Sequence, residues 1–202
     1  MTETTNRRHG LEPAIARLAN TGPADTGIDI RVRADLGQVN LRGDAGDDRF
    51  VSAVEKCLGQ SLPVEANTCT GGDHFACWLG PDEWLILGDI ETTPGLVTDL
   101  DSALSGRHKA INDVSGGQLA LQISGNGVRD VFAKGCTLDF HPRAFSNGMC
   151  AQSGLARASV LYALPESGDQ FLGVVRRSLA DYLLGWLHDA ASGFGARIAG
   201  RS

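Results

Sequence analysis

Val39-Asn40-Leu41-Arg42-Gly43 and Leu121-Gln122-Ile123-Ser124-Gly125 are two short apolar strands, each closed by a glycine, and each opens the same series of elements. After the first, Phe50, Val51, Val54, Cys57 and Leu58 share one helical face, and Gly59 is a suitable stop. A hairpin follows from Phe75 to Leu87, with Gly80-Pro81-Asp82-Glu83 as its turn, because proline presets the first central φ. Thr93-Pro94 then opens a helix, with a capping hydroxyl and proline at the first helical position. After the second strand come a helix over 126–134 with Asn126 as its N-cap, a hairpin over 156–175 and a helix over 178–191. A repeated β-α-β-β-α unit without titratable clusters predicts a duplicated binding or assembly scaffold.

The fold class expected is therefore α+β: two ferredoxin-like β-α-β-β-α-β lobes with antiparallel sheets, over residues 27–113 and 114–195. Ala110 to Val114 is a short strand that closes the first lobe. The second lobe lacks a closing strand of its own. Ile28-Asp29-Ile30-Arg31-Val32-Arg33 alternates as a strand, and by crossing over it would supply that place and lock the halves together. Residues 1–26 are polar and read as a tail or docking arm, and 196–202 as a C-terminal tail. In the last helix, Leu179, Tyr182, Leu183, Trp186, Leu187 and Ala190 follow a helical period and predict its buried face.

With 202 residues and 42% apolar residues, a real core is expected. A net charge of −6 argues against a nucleic-acid partner, which needs a basic footprint. No apolar run approaches the length of a membrane span. The N-terminus lacks the apolar centre of a secretory signal, so the five cysteines (57, 69, 77, 136 and 150) read as reduced thiols in a cytoplasm.

Individual motifs are weak. Cys69, His74 and Cys77 fit no zinc spacing and have no fourth ligand nearby. Cys136 and His141 lie in an irregular connection that says nothing of their geometry. Gly125-Asn126-Gly127 lacks the third glycine of a dinucleotide fingerprint, position 130 being Asp. Trp78 and Trp84 read as core residues of the first hairpin, and Arg176-Arg177 as a solvated strand end. Residues 135–152 form a long connection of the kind that is usually functional or covered. Phe140, His141, Arg143, Phe145 and Met149 in it mix apolar and polar groups as interfaces do, and are the candidate partner contacts.

Ala110 to Gly125, with its Asp113-Val114-Ser115 turn before a strand, a glycine and a helix, resembles the opening of folate-dependent aminomethyltransferases. A resemblance spanning residues 38–190 is to the gamma subunits of heterotetrameric sarcosine oxidases. It rests on Val39 to Asp44, Trp78-Leu79-Gly80-Pro81-Asp82-Glu83-Trp84-Leu85, Asp113-Val114-Ser115 and Ala133-Lys134-Gly135-Cys136-Thr137-Leu138-Asp139. That resemblance implies an aminomethyltransferase-like fold and a cytoplasmic bacterial complex that oxidatively demethylates sarcosine. The one-carbon unit would pass to tetrahydrofolate or leave as formaldehyde. It implies alpha, beta and delta partners, principally the large alpha subunit, and places FAD, FMN, NAD, zinc and tetrahydrofolate in other subunits. No cofactor, metal or catalytic residue is assigned to this chain. Active aminomethyltransferases carry an acid before the second strand pair, where this chain reads Gln152-Ser153-Gly154-Leu155-Ala156-Arg157. The alternatives are a gamma-type subunit of a dehydrogenase acting on N-methylglutamate or dimethylglycine, or an independent folate-binding one-carbon protein.

Overall fold

The computed structural model describes residues 10–18, 27–165 and 170–199. In chain order, α1 is Glu12–Leu18, β1 Ile28–Val32, β2 Leu36–Arg42, α2 Asp48–Leu58, β3 Cys69–Thr70, β4 Phe75–Gly80, β5 Glu83–Asp89 and α3 Thr93–Ala103. Then come β6 Ala110–Asp113, β7 Gln118–Ser124, α4 Val128–Ala133, β8 Met149–Leu155, β9 Ala158–Leu164, β10 Phe171–Arg176, α5 Arg177–Ala190 and β11 Ala196–Ala199.

Two sheets form. One has the order β3-β4-β5-β2-β6 and the other β11-β1-β7-β10-β9-β8. In the first sheet, β4, β5, β2 and β6 take the antiparallel ferredoxin-like arrangement, with β6 returning beside β2. In the second, β9, β10 and β7 repeat that order, and β1 pairs antiparallel with β7 in the place of a closing strand. The chain end that reads as a tail is instead ordered as β11, whose residues 196–199 run parallel to β1. Its short alternation, with Ala196 and Ile198 turned into the core, is too brief to signal a strand without its neighbour. Within the span read as an N-terminal arm, α1 lays Leu11, Ile15 and Leu18 on the second lobe's own core. Residues 1–9 and 19–26 of that arm, and 200–202 of the C-terminal tail, lie outside the described residues.

The strands alternate strictly, and this builds a stack of layers. In β5, Trp84 and Ile86 face α2 and α3, while Leu85 and Leu87 face the other sheet. In β9, Val160, Tyr162 and Leu164 face the second lobe's helices, while Leu161 and Ala163 face the first sheet. Each lobe thus has a core under its helices, and a third apolar layer joins the sheets face to face. Burying one such aliphatic side chain is worth about 1.5–3 kcal/mol, so the shared layer binds the lobes into one unit.

Trp84 is fully buried, and its indole N–H donates to the Pro63 carbonyl at 2.7 Å, which satisfies the polar handle of a core tryptophan. Trp78 packs half-buried on the same core. The helix α2 is well specified: Asp47 accepts from the Arg49 N–H at 2.9 Å, and Gly59 ends it at φ +70°. Two expected caps differ. The Thr93 hydroxyl turns back to the Asp89 carbonyl at 2.9 Å, and α4 starts after Gly127 without a side-chain cap. The face of α5 is also rotated from the expected stripe. Its buried residues are Ala180, Leu183, Leu184 and Leu187, whereas Tyr182 is exposed and Trp186 half-buried. An aromatic at the edge of a helix face satisfies the helical period as well as one at its centre, so periodicity alone shifts the stripe.

Candidate functional site

The connection after α4 is a lid on its own lobe. Phe140 and Phe145 are each 3% exposed and belong to the second lobe's core. Phe140 stacks near Phe132, Phe145, Tyr162 and Phe171, with centroids 4.9–6.0 Å apart. Arg129 of α4 holds the lid by donating to the Phe140 and Phe145 carbonyls, the latter at 2.9 Å, and lies over the Phe171 ring. Burial lowers the pKa of that guanidinium. The two phenylalanines, read above as candidate partner contacts, are thus packed inside this chain. Met149 opens β8, half-buried, and its sulfur accepts from the Ser146 N–H at 3.3 Å. His141 and Arg143 are exposed on the lid's outer face. The His141 Nδ1 accepts from the Arg143 N–H at 3.3 Å, and no hydrogen bond joins it to Cys136, which packs by Tyr162.

The layer between the sheets brings a distant third thiol, Cys150, to the neighbouring Cys69 and Cys77. Cys69 and Cys77 are direct cross-strand partners, and Cys150 reaches the same layer from β8. Cys150 Sγ donates to the Thr68 and Trp78 carbonyls, at 3.1 and 3.4 Å. The Cys150 contact pushes the Cys69 thiol up to about 12, and burial pushes Cys77 up. The hydrogen bonds from Cys69 and Cys77 in turn pull the Cys150 thiol down, so the three share a proton network. All three are buried in the apolar seam, where they pack the sheets together and no substrate reaches them. His74 is apart from it, with Nδ1 3.4 Å from the Leu58 carbonyl. Among the described residues, no group of three or more His, Cys, Asp or Glu side chains is placed to hold a metal.

Where the sheets diverge at one end, a cleft of about 560 Å³ opens, with Leu36, Phe75, Leu87 and Leu172 along its wall. Its central charge is already paired. The Arg33 guanidinium grips Asp35 with two oxygens, at 2.8 and 2.9 Å, and donates to Gln122 at 2.7 Å. The hydrogen bonds to Asp35 raise the Arg33 pKa against the opposing effect of burial. Gln122 in turn donates to Gln170. A fork-to-fork ion pair closed by two amides is a brace between turn and strand, and it leaves neither partner free to move a proton.

Of the candidate groups, Cys136 and His141 are not joined, and Arg33 and Asp35 are paired with each other. The profile described as the sarcosine oxidase, gamma subunit family matches residues 42–193. The chain belongs to that family. Sarcosine oxidase subunit gamma of Corynebacterium sp. (strain P-1) is 30% identical over 194 residues, covering 95% of this chain and 93% of that one. The corresponding subunit of Arthrobacter sp. is 30% identical over 195 residues, covering 95% and 94%. Among solved structures, a chain of the heterotetrameric sarcosine oxidase from Corynebacterium sp. U-96, in complex with pyrrole 2-carboxylate, superposes with a TM-score of 0.79. It is 27% identical, over 91% of this chain and 92% of that chain. The glycine cleavage system aminomethyltransferase T of Bartonella henselae shares the fold, with a TM-score of 0.60 at 11% identity. The match covers 87% of this chain and 48% of that enzyme. The aminomethyltransferase-like α+β fold is thus shown by the two structural matches. No helix among the described residues is long and apolar enough to cross a membrane.

Proposed function

We propose that this gamma-family chain is a non-catalytic structural subunit of a cytoplasmic, heterotetrameric sarcosine oxidase. In that assembly it packs against the alpha subunit principally, and beta and delta complete the complex. Oxidative demethylation of sarcosine and transfer of the one-carbon unit to tetrahydrofolate take place in the other subunits, which hold FAD, FMN, NAD and zinc. The observation that carries this reading is the match along nearly the whole length of a chain from a heterotetrameric sarcosine oxidase. The fork between Arg33 and Asp35 and the buried thiol cluster support it, because each is spent on contacts within the chain. His141 and Arg143, exposed on the lid, are the proposed partner contacts.

The test is co-expression of this chain with the three proposed partners, followed by purification through a tag on this chain. All four subunits should co-purify, and sarcosine should bleach the bound flavin. Omission of this chain should lower the yield of intact complex more than the turnover per flavin. A flavin-bearing complex that assembles and turns over equally well without this chain would sink the structural role. Offering dimethylglycine and N-methylglutamate beside sarcosine separates the oxidase reading from the related dehydrogenases.

A further inference from the structure

The turn between β8 and β9 is held more firmly than a two-residue hairpin needs. Leu155 and Ala158 pair across it, which leaves Ala156 and Arg157 as its central residues. Ala156 stands at φ +53°, in the left-handed region where glycine is the usual residue. Two contacts from outside the hairpin fix it there. The Ala156 N–H donates to the Gly135 carbonyl at 2.8 Å, and the Arg157 N–H donates to the Tyr182 hydroxyl at 3.3 Å. Gly135 is in turn covered by the ring of Trp186, one helical turn beyond Tyr182 on α5. The start of the lid, the hairpin tip and the helix therefore meet at one point, and the strained turn cannot relax without breaking both bonds.

What this junction leaves unspent faces outward. Arg157 is exposed, and its guanidinium pairs with no carboxylate among the described residues. Tyr182 is 39% exposed. Its hydroxyl accepts from the Arg157 N–H, so its own proton is left to give. Trp186, four residues on, adds a half-buried indole beside it on the same helical row. Asp189 continues that row at the end away from Arg157, so positive charge is offered at one end only. Tryptophan, tyrosine and arginine are the side chains that most often dominate the energy of an interface. A turn already fixed at both amides also presents its arginine at little further cost in order.

We propose that Arg157, Tyr182 and Trp186 form a docking surface for an apolar segment of a partner subunit that carries a carboxylate. The acid takes its place at the Arg157 end because both free polar groups there, the guanidinium and the tyrosine O–H, are donors. The apolar part of the segment lies on the Trp186 face. This surface is separate from His141 and Arg143, since it gathers at the start of the lid, where Gly135 meets the hairpin and α5. It rests on the assembly reading above, which supplies the subunits that cover it.

The experiment is hydroxyl-radical footprinting of the full-length chain, alone and in the co-purified complex, read by mass spectrometry. Oxidation of Tyr182 and Trp186 should fall about fivefold or more in the complex, as for side chains buried at the core of an interface. Arg157→Glu should lower the amount of partner recovered with this chain about tenfold or more, the loss expected when one charge of an interfacial pair is reversed. If that variant shifts the unfolding midpoint, Arg157→Gln replaces it and should still weaken recovery. Tyr182→Phe keeps the ring, removes the proton donor and should lower recovery several-fold. A wild-type chain that recovers no partner would bring down the assembly reading and this surface with it. A complex that forms with Tyr182 as reactive as in the free chain, or with the Arg157 variant at the wild-type level, would overturn the surface alone. Sedimentation of the free chain covers the remaining occupant: a dimer that Arg157→Glu dissociates would give the surface to a second copy of this chain and overturn the partner subunit.

Discussion

The two lobes share an order of elements but are completed in different ways. The first closes itself: α3 leads into β6, which pairs with β2. Its helix α2 is 11 residues long and capped at both ends. The second has a 6-residue α4 without a side-chain cap, and its closing place is filled by β1 from the other end of the chain. Its core is finished by the aromatic lid instead of a longer helix. The difference teaches that a duplicated unit does not need two complete copies. Once the sheets share an apolar layer, a missing strand can come from anywhere in the chain that reaches the edge.

The comparison breaks most sharply if the lobes melt apart. Phe140→Ala in the second lobe and Trp84→Ala in the first should each cost about 3–5 kcal/mol. Because the sheets share a core, both variants should still unfold in urea in a single transition by fluorescence and circular dichroism. Two resolved transitions would show that the lobes are separate units. A smaller loss is expected for Trp186→Ala. The half-buried ring covers Gly135, where even a Cβ would come within 2.5 Å of it. Truncation there should cost about 1–2 kcal/mol, short of a full burial. A loss equal to that of Phe140→Ala would place Trp186 at the centre of the helix face after all.

Gly59→Ala probes the better-capped lobe. At φ +70° the new Cβ meets open space, so only backbone strain opposes it, and about 1 kcal/mol should be lost. Asp47→Asn tests the other end of the same helix through pH. The hydrogen bond from the Arg49 N–H, and then the nearby Arg107 charge, hold the Asp47 pKa below its ordinary 3.8. A depressed carboxylate stabilises the folded state above its unfolded pKa, and this is lost as pH falls through 3.8 toward the folded value. The gap between wild type and variant should therefore be present at pH 7 and shrink below about pH 4. A gap that persists unchanged at low pH would mean that the charge is not what the helix uses. The smallest effect on stability belongs to Arg143→Glu. It sits exposed on the lid, so the unfolding midpoint should not move, while co-purification with partner subunits should weaken. Assembly like wild type would remove Arg143 as a contact.

Much of the fold is legible in the residues. The alternation in Glu83–Asp89, the turn at Pro81-Asp82 and the stop at Gly59 each follow from local chemistry. The family follows from ordered motifs between Val39 and Asp139. The site was less legible. Phe140 and Phe145 look like interface anchors in an irregular stretch, because nothing local says which core an unpatterned aromatic will enter. The meeting of Cys150 with Cys69 and Cys77, and of Arg157 with Tyr182, has no signal in the sequence.

Local order, then, was determined by the sequence itself: periodicity, capping and turn chemistry act over a few residues and need no partner. What the tertiary structure decided was which strand fills the open edge, how α5 is turned, and which polar groups are left facing one another. Those outcomes depend on contacts between residues far apart in the chain. Ala196–Ala199 shows why: four residues without a clear pattern become a strand only because β1 presents them with an edge to pair with.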